Sequence, residues 1–522
     1  MVGAMEETRI PGYFKNKGIL VTGSTGFLGK SKHPRMLHEK DQQTKMKTRK
    51  KISKLVAAAA CMHCDCARLH LFVMCSVIVC LDAVLVEKIL RVQPDVKRVY
   101  LPVRAPDAES AKKRVETEVI GKELFGLLRE THGKGFQSFI EEKVVPLAGD
   151  IIHENFGVEG AQLAEMTPYV VGERQGVIQE RPFKLGETLR EDEPELRLDI
   201  DAELRLAMDY QRQLAGDDAE QKNERKAMKE LGLARARGFG WPNTYVFTKA
   251  LGEMALAQQQ QEQPELAGVP VVIVRPSIIT SIQRDPLPGW IEGTRTIDAI
   301  LIGYAKQSLS CFLADLDLTM DVVSSLLYQA IPGDMVVNAM MAAAAAHASS
   351  PPEKPQPPPP QPQPPTVYHA TSSLRNPAPY AVLYRTGLRY FSDFPRVGPD
   401  GRPVRARRVH FFATVAAFTA YMVLRYRLPL ELLRLLNVLC CGLLSGLCAD
   451  LGRKYDFVMR LVDLYGPFAL FRGIFDDANV ERLRLAMAAG DRAEFNFDPK
   501  TVDWDDYFYG VHIPGVMKYV LK

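Results

Sequence analysis

Residues 18–30 read GILVTGSTGFLGK, a short apolar run that ends in threonine and opens into glycines at positions 23, 26 and 29. That spacing, directly after a strand-like run, is the turn of a dinucleotide-binding βα unit. Gly23 permits the tight turn, Gly26 lets the backbone approach a pyrophosphate, and Gly29 lets helix and strand pack closely. Amides at the start of the helix then face the phosphates. Gly23, Thr25, Gly26, Phe27 and Gly29 are therefore the candidate cofactor-binding residues of this turn. A parallel α/β sheet of Rossmann type is the fold that it implies.

The helix expected after Gly29 does not follow. Residues 31–83 begin polar and basic, pass through CMHCDC, and end in the apolar run LHLFVMCSVIVCL. Cys61, His63, Cys64 and Cys66 have zinc-binding donors but lack a second ligand pair at zinc-site spacing. No metal site is assigned. The basic run at 45–54 has the composition of a nuclear address, a lipid-binding patch or a solvated loop. The apolar run is too short to span a bilayer.

Beyond residue 84 the chain alternates regularly. VLVEKILRVQPDV reads as an amphipathic helix, VKRVYLPVRA as a strand and turn, and KVVPLAGDI as another strand. Residues 199–240 are charged and mostly helical. GWPNTYVFTKALGEMALAQ is a helix, VPVVIVRPSII a buried strand and TVYHATSS one more strand. The proline tract at 349–365 is an exposed polyproline loop within this α/β unit. From about residue 408 the chain is aromatic and helical, which suggests a smaller C-terminal domain. Its apolar part, residues 411–424, is shorter than a membrane span. It can lie on a membrane, fill a groove or form a buried core helix.

Composition narrows the classes. The 522 residues are 47% hydrophobic and 25% charged, with a formal net charge of +4. These are values of an ordinary globular chain, with no basic excess to argue for nucleic acid. Nine cysteines, five of them crowded between positions 61 and 80, are not an evenly spaced disulfide framework. A reducing compartment is the expectation. The first eighteen residues lack an apolar signal core and are too acidic for a typical transit peptide. A cytoplasmic location, with the endoplasmic reticulum surface as the membrane alternative, is expected.

Two further positions choose the cofactor. NAD sites usually place an acid at the end of the second strand; VYLPVRA instead offers Arg104, whose guanidinium suits the 2′-phosphate of NADPH. A surface arginine is the alternative. Asp150, closing VVPLAGD, is placed either to meet the adenine amino group or to cap a helix. In YVFTK, Tyr245 and Lys249 stand at i and i+4 and so share one helix face. The ammonium favours the tyrosinate and lowers the phenol pKa. Tyrosine can then protonate a carbonyl oxygen while the carbon is reduced.

Together, TGSTGFLGK, VLVEKIL, VYLPVRA, GWPNTYVFTKALGEM, VPVVIVRPSII, DPLPGWIEG, IPGDMVVNA and VYHATSS resemble the plant fatty acyl-CoA reductases, which are extended short-chain dehydrogenase/reductases. RKYDFVMRLVDLYGPFALF and FNFDPKTVDWDDYFYGVHIPGVMKYVLK resemble their second, male-sterility domain. The resemblance implies a reductase domain over residues 1–390 and a male-sterility domain over residues 408–522. It also implies NADPH as cofactor and a long-chain acyl-CoA as substrate, reduced twice to a primary alcohol by way of an aldehyde. Tyr245 and Lys249 match the family's proton donor and its partner. Peripheral membrane association is the further expectation.

The chain departs from that pattern twice. Residues 31–83 interrupt the fingerprint helix and read as foreign to the fold, a translated intron or gene-model error. Between Asp150 and YVVGERQG at 169 the chain is far too short for the central βαβ unit, which needs about 30 residues. The missing portion normally carries the hydroxyl that bonds the substrate carbonyl, and Thr167 is the residue that can stand in for it. The sheet is thus expected to lack a central strand and the chain to reduce acyl-CoA poorly. The alternative is a catalytically inactive variant acting at most as a binding protein. A sugar-nucleotide epimerase of the same superfamily is a third reading, weakened by the C-terminal domain.

Overall fold

The structure is a computed structural model that describes residues 10–22, 72–75, 79–149, 176–214, 221–262, 271–293, 296–307, 309–313, 327–328, 330–347, 364–397, 401–469 and 473–521. Gly23, Thr25, Gly26, Phe27, Gly29, Asp150 and Thr167 lie outside these residues, as do the CMHCDC cluster and residues 348–363 of the proline tract.

Around the fingerprint strand β1 (Gly18–Thr22) a four-stranded parallel sheet is built. On one side β1 pairs with β3 (Arg98–Arg104), which pairs with β4 (Val144–Gly149). On the other side β1 pairs with β2 (Phe72–Cys75), Ile19 facing Phe72 through Thr22 facing Cys75. Parallel pairing sets all four carboxyl ends on one edge.

Strand β2 changes the reading of residues 31–83. It comes from the segment expected to be foreign to the fold, yet it occupies the place beside β1. The helix expected from Val84 begins earlier, as α1 (Val79–Val92), with Leu81, Asp82 and Ala83 buried. Nor is α1 amphipathic in place: every residue from 81 to 90 is buried. Of its charged groups, Glu87 pairs with Arg91 at 2.8 Å and Lys88 donates to the Glu494 carbonyl at 3.3 Å. A helix enclosed on every side tolerates charge only when it is bonded.

The remaining strands run in short pairs. After the helix α2 (Thr244–Glu262) comes β5 (Val272–Pro276), buried throughout, and then β6 (Ile278–Thr280). Strand β6 pairs in parallel with β7 (Ala330–Pro332), which leads into helix α3 (Gly333–Ala346). Strand β5 pairs in parallel with β8 (Thr366–Ala370). The strand Gly176–Ile178 pairs in parallel with Gly473–Phe475, close to the end of the sequence. Charged residues 199–240 form two helices, Ile200–Leu214 and Gln221–Gly238, as their pattern predicts.

Packing joins what the sequence separates. Val480, Phe495, Trp504, Tyr507, Phe508 and Ile513 share one hydrophobic core with Ile19, Val21, Val99 and Val103 of the first sheet. A smaller cluster gathers Phe418, Met422, Val458 and Val462 around Cys311, Phe312 and Leu313. From that cluster extend two antiparallel helices, α4 (Leu428–Leu439) and α5 (Ser445–Ala469), joined by a tight turn. No helix among the described residues is long and apolar enough to cross a membrane.

Candidate active site

Helix α2 carries the candidate catalytic pair, and its start is fixed by local chemistry. The Asn243 side chain accepts the Val246 amide at 3.1 Å, as an N-cap residue does. Gly240, with φ +90°, sits so close to Leu189 that an added Cβ would fall 2.9 Å from its backbone. Glycine alone fits there. Val246, Phe247, Ala250 and Met254 bury one face of α2 against Trp241, Ile273 and Val367. Tyr245 and Lys249 stand at the edge of that face. Tyr245 is 40% exposed, and the Lys249 Nζ lies 5.7 Å from the centre of its ring. The structure brings this pair together as the i, i+4 spacing requires.

One turn further along α2, Glu253 is fully buried and grips Arg275 of β5 with two hydrogen bonds, at 2.7 and 2.6 Å. The same guanidinium donates to the Arg181 carbonyl at 3.0 Å and to His369 Nε2, on β8, at 3.2 Å. Because Nε2 must accept from arginine, the His369 proton sits on Nδ1 and is donated to the Asp476 carbonyl at 2.9 Å. Burial, reinforced by Arg275, pulls the His369 pKa down from 6.5 to about 3, so the ring stays neutral. The His369 amide donates to Glu180, which also accepts the Asn479 and Val480 amides. Burial nevertheless pushes Glu180 up from 4.5 to about 7. One polar chain therefore ties helix α2 to two strands and to residues 476–480.

A second buried polar cluster orders the loop after β6. Ser281 Oγ lies 3.1 Å from both Tyr507 Oη and His512 Nδ1. The Tyr507 hydroxyl also lies within 2.7 Å of both Thr280 Oγ1 and the Ser281 carbonyl. His512 Nε2 is 3.4 Å from Asp298 Oδ1. Ser281, His512 and Asp298 follow the order of a nucleophilic triad, but all three are at most 1% exposed. No substrate reaches that serine, and the cluster acts as a clamp. Asp334 on α3 accepts the amides of Gln283 and Arg284 at 2.9 and 2.8 Å, fixing the same loop. Gly289 and Gly515 touch backbone to backbone there; a Cβ on Gly515 would fall 1.9 Å from the Gly289 carbonyl oxygen.

Arg104 ends β3 at the carboxyl edge, opposite Gly149 of β4. It is exposed, and its carbonyl accepts Arg114 Nη1 at 2.7 Å. The nearest acid along the chain, Asp107, is engaged as the N-cap of Ala108–Val115, accepting the Ser110 amide at 2.7 Å. Outside the described residues lie the fingerprint glycines, Asp150 and Thr167, so the structure places neither the pyrophosphate turn nor the substrate hydroxyl.

Glu253, Arg275, His369 and Glu180 are absent from the candidates read in the sequence. The available signal was Arg275 itself, a lone charge inside the apolar run VVIVRPSII.

Two family models match the chain, both described as male sterility protein. The NAD-binding one covers residues 80–171 and 166–340, and the other covers residues 425–522. The first begins within α1, and its two stretches meet at 166–171, where the sequence was expected to lack a portion. A nicotinamide dinucleotide is the cofactor class of that domain. Fatty acyl-CoA reductase 1 of Arabidopsis thaliana is 38% identical, over 85% of this chain and 95% of its own length. The alcohol-forming fatty acyl-CoA reductase of Simmondsia chinensis is 37% identical with the same coverage. The chloroplastic fatty acyl-CoA reductase 2 of Arabidopsis thaliana is 30% identical, over 100% of this chain and 81% of its own.

Proposed function

The chain belongs to the fatty acyl-CoA reductases, and from that premise we propose that it reduces a long-chain acyl-CoA to the primary alcohol with NADPH at a membrane surface. The observation that carries this reading is the Tyr245–Lys249 pair, held on the edge of a helix that Glu253 and Arg275 lock to the sheet.

NADPH, when bound, supplies the reducing equivalents. Gly23, Thr25, Gly26, Phe27 and Gly29 would hold its pyrophosphate, Arg104 would pair with the 2′-phosphate, and Asp150 would meet the adenine. Tyr245 Oη donates a proton to the carbonyl oxygen as that oxygen gains charge, and Lys249 stabilises the phenolate left behind. Thr167 supplies the second hydrogen bond to the oxygen. The first reduction breaks the C–S bond, releasing CoA thiol and leaving the aldehyde. The second gives the alcohol, and each takes one proton through Tyr245. Residues 1–390 supply this chemistry, and residues 408–522 complete its core.

A second reading is favoured by the short stretch between Asp150 and residue 169: a chain that binds NADPH without turning substrate over. Purified protein is incubated with NADPH and stearoyl-CoA, and absorbance at the nicotinamide band and extracted alcohol are measured. Alcohol with two NADPH consumed supports the first reading. NADPH binding by calorimetry without alcohol supports the second, and absence of both overturns each.

A further inference from the structure

Helices α4 and α5 carry an apolar surface that the protein leaves uncovered. On α4 only Leu430 is buried, while Leu432, Leu435, Leu436 and Leu439 are 43–71% exposed. Their i, i+3, i+4, i+7 spacing makes a single stripe. Leu447 and Leu451 continue it on α5, 49% and 40% exposed. The principal packing partners of α4 are the turn before it and α5 after it. The joining turn is rigid: Asn437 Oδ1 accepts the Leu444 amide at 2.7 Å, and both Cys441 and Gly442 adopt positive φ.

Charge is distributed along this hairpin with a clear gradient. From residue 435 to residue 449, which includes the turn, there is no charged side chain. Behind that tip lie Arg425, Arg427, Arg434, Arg453, Lys454 and Arg460 against Glu431, Asp450 and Asp456, so cations outnumber acids even though Arg434 pairs with Glu431 and both Arg453 and Lys454 pair with Asp450. At 1.5 Å rise per residue, Arg434 stands about 9 Å from the turn and the other cations about 13–24 Å. An apolar end with a cationic collar at that height is complementary to a bilayer whose headgroups are anionic. A second copy of this chain would bring two cationic collars together, which disfavours self-association through the same face.

We propose that the α4–α5 hairpin is a membrane-docking tip that inserts residues 435–447 into one leaflet while its arginines and lysine meet anionic phospholipid headgroups. Insertion stops at the collar, because neither helix can cross the bilayer. The inference deepens the membrane-surface part of the proposed function and rests on that part alone. Its test therefore omits NADPH and acyl-CoA, so that a failure of the chemistry cannot mask it.

The test is flotation of the full chain with phosphatidylcholine vesicles, with and without phosphatidylserine. Size-exclusion chromatography with light scattering accompanies it. Wild type is expected to float with the serine-containing vesicles and to lose most binding in high salt. Leu436→Glu/Leu439→Glu is expected to bind about tenfold or more weakly, since each carboxylate resists burial in hydrocarbon. Its circular dichroism melting curve should stay unchanged, and Arg425→Gln/Arg427→Gln should lose the serine dependence while retaining part of the binding. Flotation of the double glutamate variant equal to wild type overturns the proposal. So does a wild-type chain that ignores both vesicles, or one that is a dimer dissociated by the glutamates without any vesicle binding.

Discussion

Helix α2 and helix α4 both carry aliphatic residues at helical spacing, and the protein treats them in opposite ways. Val246, Phe247, Ala250 and Met254 of α2 are sealed into the core, and Glu253 adds a two-pronged bond to Arg275. Leu432, Leu435, Leu436 and Leu439 of α4 face outward. A proton donor, the role proposed for Tyr245, must hold its place to a fraction of an ångström, and the helix that bears Tyr245 is fixed along one apolar face and by Glu253. A helix that only has to meet a fluid surface needs no such fixing.

The contrast is broken most strongly at Arg275. Arg275→Ala leaves Glu253 charged and buried without its partner, a change expected to cost about 3–5 kcal/mol of stability. Urea unfolding reads it directly, and a midpoint unchanged from wild type would show that α2 is held by its apolar face alone. Tyr245→Phe is expected to lower kcat by about a hundredfold to ten-thousandfold while leaving NADPH affinity unchanged, as for loss of a proton donor. A smaller effect falls on Arg104→Ala: KM for NADPH should rise about tenfold, the scale of a charge-assisted hydrogen bond, with NADH unaffected.

Acidity sharpens the same comparison. Glu180 binds its proton more tightly folded, at about 7 against 4.5, so its contribution to stability is complete below 4.5 and lost as pH rises through 7. His369 acts with the other sign: at about 3 against 6.5, its contribution is present above 6.5 and lost as pH falls toward 3. Melting temperature measured across this window should show both slopes. Glu180→Gln should remove the fall on the alkaline side and leave the acid side intact. The smallest effect belongs to α4, where Leu439→Glu should change stability by no more than about 0.5 kcal/mol, because that side chain stands 71% exposed.

How far the sequence could be read follows the same division between local and distant chemistry. Tyr245 and Lys249 are four residues apart on one helix, so their meeting was legible from spacing. The strands at 98–104, 144–149, 272–276 and 366–370 were equally legible from apolar runs bounded by turns. Glu253 was not, because its partner Arg275 lies 22 residues away, and in KALGEM it looks like any solvent-facing acid. The run LHLFVMCSVIVCL showed its hydrophobicity but not that Phe72–Cys75 would align beside β1. Register between strands separated by a long segment depends on tertiary fit rather than on local pattern. The encased helix α1 misled for a related reason: Glu87 and Lys88 suggested an outer face, and they are met instead by Arg91 and the Glu494 carbonyl.

The backbone contact between Gly289 and Gly515 has a bearing on how the protein is made. Tyr507, His512 and Gly515 are synthesised after every strand described above, yet they close the loop that follows β6. The reductase half therefore waits on the ribosome with part of its interior open, in the interval when exposed apolar surface invites aggregation. A premature stop codon shortly before Trp504 would spare every residue assigned to the chemistry and still deprive the cell of the enzyme.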